Sequence, residues 1–265
     1  MNLSLVFDPL FQVPFANGLL LAIALPLVGA YVRLRDEWLA SLGLAQATAA
    51  GGVLGALLGI HPLAGALGAA AATAGLKGKL VKAGNDVYAV TILAGWCVAL
   101  IGAANSVKGE ELSHALLEGQ LYFTTTHHLA AAACLLVAVA AGLPWLSRRL
   151  LLERFFPEHL DANGFPAWRL NAAFDLLVAF SVALSTQSIG VMATFGLVFL
   201  PPWAVFHGAP GWRKALLGVA GVGVGAYLVS FVAAILLNQP FGPVLVAILV
   251  LAGVVFRPLG RLVGR

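Results

Sequence analysis

Charge is scarce in this chain. Of its 265 residues, 10% are Asp, Glu, Lys or Arg and 61% are hydrophobic, where a soluble domain carries about 25% charged residues. Eleven acids and fifteen bases cannot coat the water-facing surface of a globule this size, so a soluble domain is excluded. So is a disordered chain, which needs low hydrophobicity. Cysteine is scarcer still. Cys97 and Cys134 lie inside apolar runs, with no CxxC and no Cys/His zinc spacing, which excludes a secreted disulfide scaffold. No basic tract exists, so the net charge of +4 carries no nucleic-acid signal and no nucleic-acid partner is expected. The segment Met1–Pro14 lacks a positive start and contains Asp8, so it does not read as a cleaved signal. There is no G-x-x-x-x-G-K-[ST] loop, G-x-S-x-G elbow or H-E-x-x-H helix. Any ATP used must therefore be held by another subunit.

What is abundant is long apolar runs. A spanning helix needs roughly 20 mostly apolar residues, and lipid leaves no partner for an open backbone. Nine runs qualify, at about 15–32, 39–60, 62–76, 87–105, 128–146, 169–187, 189–206, 214–237 and 241–256. The third is short and rich in Ala and Gly. With the N-terminus outside, the cytoplasmic segments hold every Lys and Arg except Lys108, as the positive-inside bias demands. The expectation is an all-α polytopic membrane protein: one transmembrane domain over 1–265, about nine transmembrane helices, N-terminus outside and C-terminus cytoplasmic. The longest exterior segment is 106–127 and the longest interior one 147–168.

Two glycine stripes, Gly51-Gly55-Gly59 and Gly221-Gly225, suit close helix packing, either within the chain or at a subunit seam. Pro26, Pro201 and Pro202 can kink their helices. Ionisable groups inside a membrane are costly, which makes them functional candidates. Asp175 is the clear case, with Asn171 four residues earlier on the same helix face. It reads as a pathway carboxylate or as an acid paired with a neighbouring helix's donor. Gln46, Thr48 and Ser41 in the second run could line a conduit or bond a neighbour. His114, His127 and His128 stand near three glutamates outside the membrane, as an outer metal-collecting site or a solvated loop. Cys97 and Cys134 read as soft-metal ligands or as small apolar fillers.

Several stretches, in order, resemble the ABC-3 (ZnuB-like) permease family of bacterial zinc, manganese and iron ABC importers. They are Phe15–Ala22, Leu117-Glu118-Gly119-Gln120-Leu121, Phe155-Phe156-Pro157-Glu158-His159-Leu160 with Gly164, Ile189-Gly190-Val191-Met192 through Pro201, and Pro240-Phe241-Gly242-Pro243. The resemblance implies a homodimer in the bacterial inner membrane. A cytoplasmic ATPase would bind ATP and Mg, and an extracytoplasmic solute-binding protein would load the pair. It also implies that the 147–166 segment contacts the ATPase, through Glu153, Arg154, Phe155, Phe156, Pro157 and Glu158. One departure matters. The family's second helix reads Gly-Asp-Ala-Leu-x-His-Ala, and here the aligned stretch is Ser41-Leu42-Gly43-Leu44-Ala45-Gln46-Ala47. Leu42 cannot bind a cation, and the Gln46 amide is a weak zinc ligand. The expected function is a non-enzymatic importer permease, with a divalent metal as cargo, zinc first. A metal chelate or small organic solute on the same machine is the alternative. A membrane-embedded enzyme using Asp175 or the outer histidines lacks a second acid or a nucleophile nearby, and a bare scaffold would need only the glycine stripes.

Overall fold

The computed structural model describes residues 8–79, 85–156, 167–206 and 211–263. These residues are helical with short connections and no strand, since a helix satisfies its own backbone where lipid cannot. The helices are α1 (Gln12–Leu34), α2 (Ala40–Leu57), α3 (Pro62–Lys79), α4 (Asn85–Asn105), α5 (Val107–Glu118), α6 (Thr126–Phe155), α7 (Ala167–Val205), α8 (Trp212–Leu237) and α9 (Phe241–Val263). Six of them, α1, α2, α4, α6, α7 and α8, are long and apolar enough to cross a bilayer. Two more carry shorter apolar stretches, Pro62–Leu76 in α3 and Phe241–Val255 in α9.

The expected sixth and seventh spans form one element, α7, broken at Gly190 (φ 80, ψ 169). Unbroken, α7 would run roughly 58 Å at 1.5 Å per residue, nearly twice the roughly 30 Å hydrocarbon core. Instead it doubles back. The Thr194 hydroxyl donates to the Ser185 hydroxyl at 3.2 Å, although nine residues of straight helix would hold them roughly 13.5 Å apart. The stretch 106–127 contains α5 and a 3-10 turn at Leu121–Phe123. The helix that holds the fifth apolar run, α6, passes through Pro144, continues beyond residue 146 and ends at Phe155.

The chain divides into two compact units. The first takes the chain up to Ala30, His114–Leu136 and the chain from Leu184 on. Its core holds an aromatic cluster in which Phe11 meets Tyr122 edge-on (5.7 Å between centroids) and Phe15 meets Phe231 (5.2 Å). The Tyr227 hydroxyl donates to the Phe15 carbonyl at 2.8 Å. Three separate stretches meet in this unit, around Gly119, Gly190 and Gly242. The Gln120 N–H donates to the Ser188 carbonyl at 3.2 Å. A methyl on Gly190 would stand 2.5 Å from the Gly119 nitrogen, and one on Gly242 would stand 3.0 Å from the Glu118 carbonyl oxygen.

The second unit comprises Tyr31–Ser113 and Val137–Ala183. Here α2 is buried along most of its length. Gly51 and Gly55 press on Gly65 of α3, and Gly95 of α4 closes on the Gln46 backbone, where a methyl would come within 2.8 Å. The first glycine stripe therefore packs helices within the chain. Gly59 is not its third helical member. It has φ +75 and ends α2, with the Ile60 N–H reaching the Gly55 carbonyl at 2.8 Å, a Schellman cap. The second stripe is open, since a methyl on Gly221 or Gly225 would meet nothing.

Two other helices end in the same way. Asn238 (φ 50) caps α8, and Asp36 (φ 62) caps α1, with the Glu37 N–H on the Val32 carbonyl and the Asp36 N–H on the Arg33 carbonyl. Short polar side chains tolerate this left-handed turn and β-branched ones do not. Asp36→Val is therefore expected to lower stability by about 1–2 kcal/mol, and Asp36→Gly to leave it unchanged or higher. Thermal unfolding in detergent measures both.

Candidate translocation and coupling site

Asp175 lies in the first part of α7, within the second unit, and is not a free carboxylate. Its Oδ1 accepts from Arg35 Nη1 at 3.1 Å, while Arg35 Nη2 bonds Glu37 Oε1 at 3.2 Å. All three side chains are largely buried, at 14% exposure for Arg35, 12% for Asp175 and 21% for Glu37. The guanidinium also stacks over the Phe174 ring, 5.2 Å from its centroid. The Schellman turn at Asp36 is what places Arg35 and Glu37 side by side just past the end of α1. Beside this network a small cleft is lined by Glu37, Ala40, Leu44, Tyr88, Phe174 and Asp175, among others. Ala40 and Leu44 are one helical turn apart, so α2 presents a stripe to the cleft.

The other sequence candidates fall in different places. Asn171 is one turn before Asp175, but its amide donates to Glu153 Oε1 of α6 at 2.8 Å. Thr48 spends its hydroxyl on its own helix, at the Leu44 carbonyl (2.7 Å). The Ser41 hydroxyl and the Gln46 Oε1 are buried and have no partner among the described residues. At about 100° per residue, Ser41 and Thr48 flank the cleft stripe, whereas Gln46 points about 200° away from Leu44. Gln46 thus sits against α4 and does not line the cleft.

In the first unit, His114 is exposed, with Nδ1 3.6 Å from Glu118 Oε1. His127 is exposed, and His128 Nδ1 accepts from the Thr125 backbone N–H at 3.2 Å, which holds the start of α6. Among the described residues no three of His, Cys, Asp and Glu converge to hold a metal. Cys97 and Cys134 are both exposed. Along the expected ATPase-facing stretch, Glu153 is held by Asn171, Arg154 is exposed, and Phe155 and Phe156 are 65% and 63% exposed. Pro157 and Glu158 lie outside the described residues.

Sequence reading missed four residues. Asn17 in α1 is fully buried, with neither amide atom partnered among the described residues. An amide inside an apolar run was the available signal, the one that singled out Gln46. Arg35 was counted only among the cytoplasmic bases, and Glu37 was not singled out. No local signal could name their partner, because Asp175 lies 140 residues from Arg35. Tyr122 adds a buried hydroxyl with no partner among the described residues. Burial pushes its phenol up to about 12, so it stays protonated at neutral pH.

A family model described as the ABC 3 transport family matches residues 8–257. The chain belongs to the ABC 3 transport family. Membership makes it a transport component of an ABC transporter, the permease subunit and not the enzyme, and the family implies ATPase and solute-binding partners. Two solved structures share the permease's fold. One is PsaBC from Streptococcus pneumoniae in complex with a Fab (TM-score 0.81, 16% identity, covering 95% of this chain and 92% of that one). The other is a metal-chelate type ABC transporter in an inward-facing conformation (TM-score 0.68, 15% identity, 98% and 87% covered). No curated protein matches the permease by sequence.

Proposed function

We propose that this permease imports a divalent metal ion, zinc first and manganese or iron next, as a homodimer in the bacterial inner membrane. In this reading the chain is one transmembrane domain with nine spans, α7 supplying two, and its N-terminus lies outside. Aromatic–cation pairs support that placement: Arg149 lies over Trp145 near the close of the fifth apolar run, and Arg169 over Trp168 at the start of α7, as at a membrane interface. A solute-binding protein delivers cargo on the outer side, and a cytoplasmic ATPase holding ATP and Mg drives alternating access. The observation that carries the reading is the family match over 8–257, backed by the exposed Phe155–Phe156 pair at the end of α6, an apolar knob suited to docking.

A second reading keeps the machine and changes the cargo to a metal chelate or small organic solute. Leu42 and Gln46, in place of the family's Asp and His, favour it, as does the likeness to a metal-chelate type transporter. Proteoliposomes holding the permease, its ATPase and its binding protein decide between the two. The expected result is ATP-dependent accumulation of radioactive zinc at least tenfold above vesicles without ATP. Accumulation of chelated metal alone would establish the second reading, and no ATP-dependent accumulation of either would overturn both.

A further inference from the structure

The Arg35–Asp175 network and the Asn171–Glu153 bond belong to the same short stretch of α7. Asn171 and Asp175 are one helical turn apart and reach in two directions. Asn171 holds Glu153, one residue before the exposed Arg154-Phe155-Phe156 stretch at the end of α6. Asp175 holds Arg35, Arg35 holds Glu37, and the Glu37 carbonyl accepts the Ala40 N–H at 2.9 Å, where α2 begins. Phe174, between them in sequence, is fully buried under the Arg35 guanidinium and packs on Tyr31, at 6.4 Å between ring centroids. Three side-chain bonds, joined by one turn of α7 and completed by one backbone bond, therefore connect the end of α6, through the start of α7, to the first turn of α2.

We infer that this chain of contacts is the mechanical link by which the nucleotide-driven partner moves α2, and that Asp175, Asn171 and Arg35 are positioning residues for transport and not cargo ligands. The inference rests on the reading of the 147–166 segment as the ATPase contact. Two physical points favour a link over a binding site. The set has one net negative charge, but both carboxylates are bonded to the Arg35 guanidinium, so a metal ion would have to displace a cation already in place to be ligated. The set is also stiff. Three largely buried charged groups satisfy one another, and a half-broken set would leave an uncompensated buried charge. The network thus transmits a shift of α7 to the α1–α2 turn without absorbing it. The cleft lined by Ala40 and Leu44 lies where such a shift would be felt.

The test needs the permease and its ATPase, but neither cargo nor binding protein, so it can succeed or fail independently of the import assay. Cys97 and Cys134 are replaced by serine, and Ala40→Cys reports on the cleft through its rate of labelling by a small charged thiol reagent. The expected result is a change of at least fivefold in that rate when a non-hydrolysable ATP analogue is added. In Asp175→Asn and in Asn171→Leu the change should shrink to less than 1.5-fold, while labelling without nucleotide stays near the parental value. The thermal midpoint should fall in Asp175→Asn, which leaves Arg35 one carboxylate instead of two, and stay near parental in Asn171→Leu. Asp175→Glu should restore most of the response. Asn171→Leu removes one bond beside a helix end and carries the test if Asp175→Asn fails to fold. The link is overturned if both variants keep the full nucleotide response, or if the parental protein shows none. A fall in thermal midpoint with the nucleotide ratio preserved would also overturn it, since it would mark a merely structural role.

Discussion

Gly190→Ala is expected to destabilise the permease by about 2–6 kcal/mol, strain and overpacking each contributing about 1–3. The backbone there has φ 80 and ψ 169, a region that is essentially glycine's alone. A methyl would also stand 2.5 Å from the Gly119 nitrogen. That neighbour is backbone, held by the Gln120–Ser188 hydrogen bond, so it cannot swing aside as a side chain would. The two arms of α7 should splay and the Ser185–Thr194 contact should be lost. Fluorescence-detected size exclusion after a temperature ramp measures the effect. Gly68→Ala is the control, because a methyl there meets nothing and replaces a helical glycine, so stability should stay level or rise by about 1 kcal/mol. A Gly190→Ala midpoint within error of the parental one would refute the hairpin geometry at this position.

The second large effect concerns cargo. Leu42 and Gln46 are four residues apart on α2 and share a helix face. Installing Leu42→Asp with Gln46→His returns a carboxylate and an imidazole at the spacing the family uses for its ion. Isothermal calorimetry on the detergent-solubilised permease should then detect zinc at one site per chain, at least tenfold tighter than in either single variant, which is about 1.4 kcal/mol. The parental chain should show no comparable site, in keeping with the absence of a three-ligand cluster among the described residues. A route that must let go of its cargo works best with weak sites, so tighter binding should come with slower zinc uptake in proteoliposomes. No gain in zinc binding by the double variant would mean that this face of α2 is closed to an ion, leaving the chelate or organic-solute reading favoured.

Much of the molecule was legible without coordinates, and the reason is the solvent. Lipid removes every backbone option but the helix, so composition and run length suffice to place the apolar helices. Even the separation of 169–187 from 189–206, hidden in one continuous helical element, could be read from length, because no single span needs 39 residues. The family likeness was legible too, through short stretches whose purpose became visible only in the fold. The segments around Gly119, Gly190 and Gly242 looked like unrelated fragments in sequence, and they are one backbone crossing.

The polar candidates were read less well. A residue's type says that a buried polar group needs a partner, but not which one. Thr48, open between lining a conduit and bonding a neighbouring helix, bonds its own helix, whereas Asn17 passed without notice and is buried with nothing satisfied among the described residues. Asp175 was correctly seen as costly to bury. That it is held by Arg35, 140 residues away in the chain, was beyond any local pattern. The sequence by itself determined the solvent, the helices, the family and the missing metal ligands on α2, because those depend on hydropathy, spacing and residue chemistry. Only the tertiary structure decided which charges neutralise one another, which glycines touch, and that the first turns of α7 tie the end of α6 to the start of α2. Such pairings follow from how helices cross, and a crossing leaves no periodicity in either of the helices that make it.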